Sequence, residues 1–206
     1  MKIIFWVCII LVQFNPGLFG QVINLTVVPK PQDFKFTGEK FLLDNSPIRI
    51  NTFCRNYEPV TIALEELKNT FKKYSLPESP LKSEAEKQIQ IGIPNENSNF
   101  KLICEKLNML PDEKLGEEGY KLLITPEKII ISAADQKGLF YGLQTLKQML
   151  SGNEESLFLP GIRITDLPAL KYRAVMDDIS RGPIPTIDFM KYQIRRLAEM
   201  KINFFT

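Results

Sequence analysis

Tyr172-Arg-Ala-Val-Met-Asp-Asp178, Ile179-Ser-Arg-Gly-Pro-Ile-Pro185, the run 186–200 and Lys201-Ile-Asn-Phe-Phe-Thr206 form the stretch on which the reading of this chain turns. The first piece is a short apolar run ending in carboxylates, the pattern of a buried strand whose C-terminal end meets solvent. A Gly/Pro loop follows. Residues 186–200 then place Ile187, Met190, Ile194, Leu197 and Met200 at the spacing of one buried helix face. Thr186 suits the N-cap, and Asp188 lies in the first turn, where the helix dipole favours a negative charge. Residues 202–205 begin another apolar strand. A strand, a helix and a second strand in this order build parallel sheets, with sites at the C-terminal ends of the strands. Asp177, Asp178, Ser180 and Arg181 gather at that end.

Two strands and one helix leave most of a parallel sheet in water, since such strands are normally covered on both faces. The expectation is that residues 167–206 are the truncated start of a larger closed (β/α)8 barrel, and the chain the front portion of a longer protein.

Working back from this stretch, the pattern changes character. Residues 33–36, 41–43, 48–50 and 88–93 read as strands, with Thr37-Gly38-Glu39 as a turn, and Val27-Val28 as an edge strand that Pro29 ends. Pro59 opens a helix to about Tyr74, with Val60, Leu64, Leu67 and Phe71 on one face. Phe100, Ile103 and Leu107 suggest a short helix. Residues 119–125 and 128–132 form a hairpin around Pro126-Glu127. Asp135 caps a helix carrying Leu139, Leu143, Leu146 and Leu150, and residues 158–165 add a last strand before Asp166-Leu167-Pro168. Residues 21–166 are therefore expected to be an α+β domain, a mostly antiparallel sheet with helices on one face. Gly138 and Gly142 lie inside a helix and lack the following Lys-Ser/Thr of a phosphate loop. They read as a flat face that lets that helix sit close on the sheet.

Composition removes several function classes. A net charge of +2 with no charged block gives no footprint for nucleic acid. The absence of histidine excludes Ser-His-Asp and Cys-His catalysis and any His-ligated metal site within these residues, and no cysteine pair has zinc-ligand spacing. No metal or cofactor is expected. Lys2 followed by the apolar run 3–14 and Asn15-Pro16-Gly17-Leu18-Phe19-Gly20 has the layout of a secretory signal peptide, residues 1–20, too short for a membrane span. Export, to the periplasm or beyond, is the expected localisation, with no membrane span once the signal is gone. Cys8 would leave with the signal. Cys54 and Cys104 remain, either as a disulfide or as free buried thiols. Asn24-Leu25-Thr26 is a glycosylation sequon.

The strand-end polar groups carry the chemistry. Asp177 and Asp178 are neighbours, and neighbours in a strand face opposite ways, so they cannot form an acid/base dyad while the strand persists. Asp178, beside the loop, is the better placed to orient an arginine. Arg181 has two readings. Its guanidinium can fork onto vicinal hydroxyls or a carboxylate where barrel enzymes contact substrate, or it can be an exposed loop arginine bridging Asp177 or Asp178.

Gly119-Tyr120-Lys-Leu-Leu-Ile124, Ile129-Ile-Ile-Ser-Ala133 and Gly138-Leu-Phe-Tyr-Gly-Leu-Gln-Thr-Leu146 resemble the N-terminal domain of glycoside hydrolase family 20, the β-N-acetylhexosaminidases. Ile164-Thr-Asp166-Leu-Pro168, Tyr172-Arg173, Asp178-Ile-Ser-Arg181 and Met200-Lys-Ile-Asn203 resemble the first strands of that family's catalytic barrel. The resemblance implies an enzyme that removes terminal β-linked GlcNAc or GalNAc from glycans. The substrate's own 2-acetamido carbonyl is the nucleophile, with net retention, an exception to the two-carboxylate scheme. The catalytic Asp-Glu pair of such proteins lies beyond Thr206, so no catalytic residue is expected in this chain, and the fragment alone should be inactive. Arg181 matches the arginine that holds sugar hydroxyls, with Asp178 in support. Ala174 and Gly182 stand where many members carry Gly and His, which touches the detail of the subsite. Family 84 enzymes and α-glucuronidases carry related N-terminal domains and are the nearest alternatives among enzymes. A non-catalytic glycan-binding or scaffolding module is the alternative of another class. Oligomeric state is not readable.

Overall fold

The computed structural model describes residues 25–44, 48–73, 87–151, 158–178, 180 and 182–206. The stretch 1–20 expected to be a signal peptide, Cys8 and Asn24 lie outside the described residues. Six strands form one sheet: β1 (Asp33–Leu42), β2 (Ile48–Phe53), β3 (Lys87–Gly92), β4 (Tyr120–Ile124), β5 (Lys128–Ala133) and β6 (Phe158–Asp166), in the spatial order β1-β6-β4-β5-β3-β2. The first three neighbouring pairs are antiparallel. The pairs β5-β3 and β3-β2 are parallel. The fold is α+β, as the sequence suggested, but the sheet is mixed. The reason is connectivity: α1 (Glu58–Lys73) crosses from β2 to β3, and a helix crossover returns the chain parallel.

Helices α1 and α3 (Gln136–Ser151) pack side by side on one face. Val60, Ala63, Leu67 and Phe71 of α1 meet Leu139, Leu143, Leu146 and Leu150 of α3 over Ile89, Ile91, Leu122, Ile124, Ile129 and Ile131. The expectation of helices on one face alone is corrected by α2 (Ser98–Lys106), which covers the other. There Phe100 and Cys104 join Met109, Leu123 and Ile130, and Phe53 stacks on Phe100 at 5.0 Å. The consecutive buried residues Leu122-Leu123-Ile124 and Ile129-Ile130-Ile131 follow from this, since a strand buried on both faces loses its alternation.

Two local expectations change. Residues 33–42 are one strand rather than two, with a bulge between Phe36 and Lys40 where Gly38 takes φ 82°. Val27-Val28 is not an edge strand: the amide side chain of Gln148 accepts from Val28 N at 2.7 Å and donates to Val28 O at 2.8 Å, so its backbone groups are satisfied without one. The helix glycines sit as expected. A Cβ at Gly138 would collide with the Gly119 carbonyl and stand 2.9 Å from Ala133 Cβ, and one at Gly142 would meet Ile131 at 2.5 Å. Cys54 and Cys104 are free thiols, and burial raises both pKa values.

Beyond β6 the chain forms β7 (Ala174–Val175), α4 (Ile187–Glu199) and β8 (Phe204–Phe205), with β7 and β8 paired in parallel. Thr186 caps α4 through Phe189 N. The expected apolar face of α4 is present but not buried: Ile187 is 71% exposed, Ile194 52% and Met200 46%.

Candidate functional site

The strand-end site rests on the β7-β8 pair. Ala174 and Val175 stand opposite Phe204 and Phe205, and the ladder runs on through Thr206 N to Val175 O at 3.2 Å and Asp177 N to Thr206 O at 2.8 Å. Parallel pairing puts both C-terminal ends on one side, where Met176, Asp177, Asp178 and Ser180 emerge beside Thr206. The two carboxylates have separate partners. Asp177 Oδ2 accepts from Gln193 Nε2 of α4 at 3.1 Å. Asp178 Oδ1 accepts from the backbone N–H of Ser180 at 2.9 Å, and hydrogen bonds from the side chain and backbone of Ser180 hold its exposed carboxyl below the usual range. Asp178 therefore shapes the turn into the loop. Arg181 lies outside the described residues, so its reach is not placed; Gly182, next in line, has φ 101°. Among the described residues no group of three or more His, Cys, Asp or Glu is set to hold a metal ion. No helix among them is long and apolar enough to cross a membrane.

At the opposite, N-terminal end of β7 and β8, a polar seam joins this unit to the first domain. Lys201 Nζ lies 2.7 Å from Asp166 Oδ2 and donates to Tyr120 Oη at 3.0 Å, both partners belonging to the sheet. Tyr120 Oη also donates to Asp166 Oδ2 or shares its proton with Thr145 Oγ1, at 2.9 and 2.6 Å. Burial, and next the Asp166 charge, push the Tyr120 pKa well up, while burial pulls Lys201 down against the opposing pull of Asp166.

A second cluster lies alongside. Arg173 pairs with Glu118 at 2.8 Å, donates to the carbonyls of Lys201 and Leu170 at 2.6 and 2.7 Å, and donates to Tyr141 Oη at 3.1 Å. Asn203 accepts from Arg173 N at 2.9 Å and donates to Lys171 O at 2.7 Å. Lys147 of α3 stands 2.7 Å from both Glu66 and Glu199, which ties the end of α4 to the α1-α3 layer. Reading the sequence for site chemistry missed this seam. The signal available was the set of charged residues placed just before each apolar strand, Arg173 before β7 and Lys201 before β8, where solvated positions would tolerate anything.

Two spaces flank the seam. A cleft of about 750 Å³ runs past Tyr57, Phe140, Tyr141 and Tyr172, and a smaller space of about 190 Å³ lies against Tyr120, Asp166, Arg173 and Lys201. On the other side, about 350 Å³ separates α4 from β7 and β8 at Met176, Tyr192, Leu197 and Phe205.

Residues 24–167 match the model of glycosyl hydrolase family 20, domain 2. The chain belongs to glycosyl hydrolase family 20. A β-hexosaminidase of Porphyromonas gingivalis is 31% identical over 189 residues, which is 88% of this chain and 22% of that protein. Among solved structures, the chitobiase of Flavobacterium johnsoniae aligns with 88% of this chain and 26% of its own, at TM-score 0.63 and 23% identity. CpGH84B aligns with 88% of this chain and 29% of its own, at TM-score 0.67 and 26% identity. The chain thus spans less than a third of each of these family 20 and related proteins. Coverage of 88% of a 206-residue chain reaches past residue 167, so the likeness to the P. gingivalis protein continues into the β7-α4-β8 unit.

Proposed function

We propose that this chain is the N-terminal domain, and the first strand, helix and second strand of the catalytic (β/α)8 barrel, of an exported β-N-acetylhexosaminidase. The observation that carries the reading is the parallel β7-α4-β8 unit directly after a family 20 domain, with a likeness to a β-hexosaminidase that extends past that domain. The exposed apolar side chains of that unit, Met176, Ile187, Phe189, Ile194 and Phe204 among them, support a sheet that continues.

In this reading the substrate is a glycan ending in β-linked GlcNAc or GalNAc. Its acetamido carbonyl oxygen attacks the anomeric carbon as the glycosidic oxygen leaves with a proton, giving an oxazolinium ion that water opens with net retention. The carboxylates that orient the acetamide and move the proton stand on a later strand. From this chain, Arg181 forks onto hydroxyls of the terminal sugar, and the Asp178-Ser180 turn shapes the loop that carries it. The 206 residues alone are inactive. The leader 1–20 directs export, and a mature secreted form beginning at Gln21 checks that part.

The kinetic test uses the chain extended through its barrel, with an aryl N-acetyl-β-glucosaminide. Arg181→Ala is expected to lower kcat/KM by roughly a hundredfold, a loss of about 3 kcal/mol of transition-state binding, with an unchanged melting temperature. Successive fluorination of the substrate's acetamide should slow turnover in step, because it weakens the carbonyl nucleophile. Unaltered kinetics in Arg181→Ala remove it from the site, and indifference to fluorination removes substrate assistance. The likeness to CpGH84B supports a second reading, a family 84-like glycosidase sharing this N-terminal domain. An adjacent Asp-Glu pair at a later strand end decides for family 20 chemistry.

A further inference from the structure

Lys201 is held where a lysine is costly. It follows α4 with φ 59°, a left-handed conformation that costs a non-glycine residue on the order of 1 kcal/mol, and a glycine there would end the helix without strain. Its ammonium is also buried, with the residue only 6% exposed. A buried charge must be paired to persist, and its removal from water offsets most of what the pairing returns. A well-packed apolar side chain would hold the fold as well. What the lysine adds is a fixed geometry.

That geometry joins three elements at one residue. The side chain reaches Asp166, the last residue of β6, and Tyr120, the first of β4. The carbonyl of Lys201 accepts from Arg173 Nε, one residue before β7. Its backbone N–H closes the end of α4 on Ala198 O at 3.0 Å, and two residues later Asn203 N donates to Arg173 O at 3.1 Å as β8 begins. From this knot β7 and β8 run two paired residues, and the ladder continues between Val175, Asp177 and Thr206 before the Asp178-Ser180 turn opens the strand-end loop.

Resting on the hydrolase reading above, we propose that Lys201 is a positioning residue for the hydrolysis: through Asp166 and Tyr120 it sets where β7 and β8 stand on the first domain, and so where their C-terminal ends, with Asp177 and Asp178, face the sugar. It touches no substrate, and its effect passes through the strands.

Amide exchange on the 206-residue chain gives the first test. In Lys201→Met, protection of Asp177, Asn203, Phe204 and Thr206 amides should fall by roughly tenfold, while amides of β4 and β5 keep theirs. A second variant, Asp166→Asn with Lys201→Met, removes the carboxylate left unpaired. It should recover the melting temperature but not the protection of β7 and β8. Recovery of both would mean that Lys201 merely balances Asp166, and the proposal falls. It falls equally if Lys201→Met leaves those amides unchanged, or if both variants lose protection throughout the sheet.

In the barrel-bearing protein, the double variant should lose kcat by about tenfold or more with KM within about twofold, because a small misplacement of the bound sugar against the catalytic carboxylates acts on the chemical step. Wild-type turnover with an undiminished kcat in the variant overturns the positioning role alone. Absence of wild-type turnover overturns the hydrolase reading instead, and leaves the exchange result to stand by itself.

Discussion

Helices α3 and α4 are built on the same plan and end in opposite conditions. Each follows a strand, opens on a cap, Asp135 or Thr186, and carries apolar residues at helical spacing. In α3, ten of sixteen residues are buried; in α4, among the described neighbours, none is. The spacing of apolar residues states which face a helix would bury, and only the surrounding layers decide whether it does. The first domain has those layers on both faces of its sheet. The β7-α4-β8 unit has one seam, and that seam is polar.

The sharpest way to break this comparison is to remove the same kind of side chain from each helix. Leu146 of α3 is fully buried against both α1 and the sheet. Leu146→Ala should destabilise the first domain by about 3 kcal/mol, the transfer loss plus a cavity that a close-packed core cannot close. Ile194→Ala in α4 removes a side chain that is already half in water, and should cost less than about 1 kcal/mol in the 206-residue chain. Urea unfolding of both variants, followed by far-ultraviolet dichroism, reads the difference. Equal costs would mean that α4 is covered in solution.

A smaller effect tests the contact that places α3 itself. Gly138→Ala adds one methyl against the backbone of Gly119 and the side chain of Ala133, neither of which is the movable end of a long side chain. Overpacking of about 2 kcal/mol is expected despite alanine's better helix propensity, which in an open helix would stabilise by up to about 1 kcal/mol. A rise in the melting temperature would show that α3 does not press on Gly119 and Ala133.

How far the sequence could be read follows the same division. Elements whose signal is local were legible: the hairpin 120–133, the helices that became α1, α3 and α4, and the parallel pairing of β7 with β8, which the intervening helix demands. Elements whose outcome depends on distant partners were not. Parallel pairing of β2 and β3 was open to inference from the helix between them, yet placing β3 beside β5 needed the tertiary order of the sheet. The bulge at Gly38 looks in sequence like any turn. α2 on the far face was signalled only by unbroken apolar runs in β4 and β5.

The site divides likewise. Arg181 was singled out by its place after a strand and by family resemblance. Tyr120, Asp166, Arg173 and Lys201 stood in the quoted motifs without a role, because a buried lysine and an exposed one are the same letter until their neighbours are known.

The smallest effect probes that buried group through its least conspicuous member. Tyr120 is buried, and its phenol is held neutral by desolvation and by the nearby Asp166 carboxylate, so its folded pKa is raised well above 10. In the unfolded chain the phenol titrates normally. Above about pH 10 the unfolded state therefore releases a proton that the folded state keeps, and stability declines with pH, by at most about 1.4 kcal/mol per pH unit for one proton. The stability that the neutral phenol confers is fully present below pH 10 and is lost as pH rises toward its folded pKa. Tyr120→Phe has no such proton. It should be less stable than wild type at pH 8, where the hydrogen bonds to Asp166, Thr145 and Lys201 are lost, and the gap should narrow between pH 10 and 11. Lys201, whose pKa is lowered chiefly by burial, slopes the other way below 10.5, but it remains in both proteins and its own slope largely cancels in the difference. A gap that stays constant through pH 11 would mean that water reaches Tyr120, and that the seam between the two regions is open.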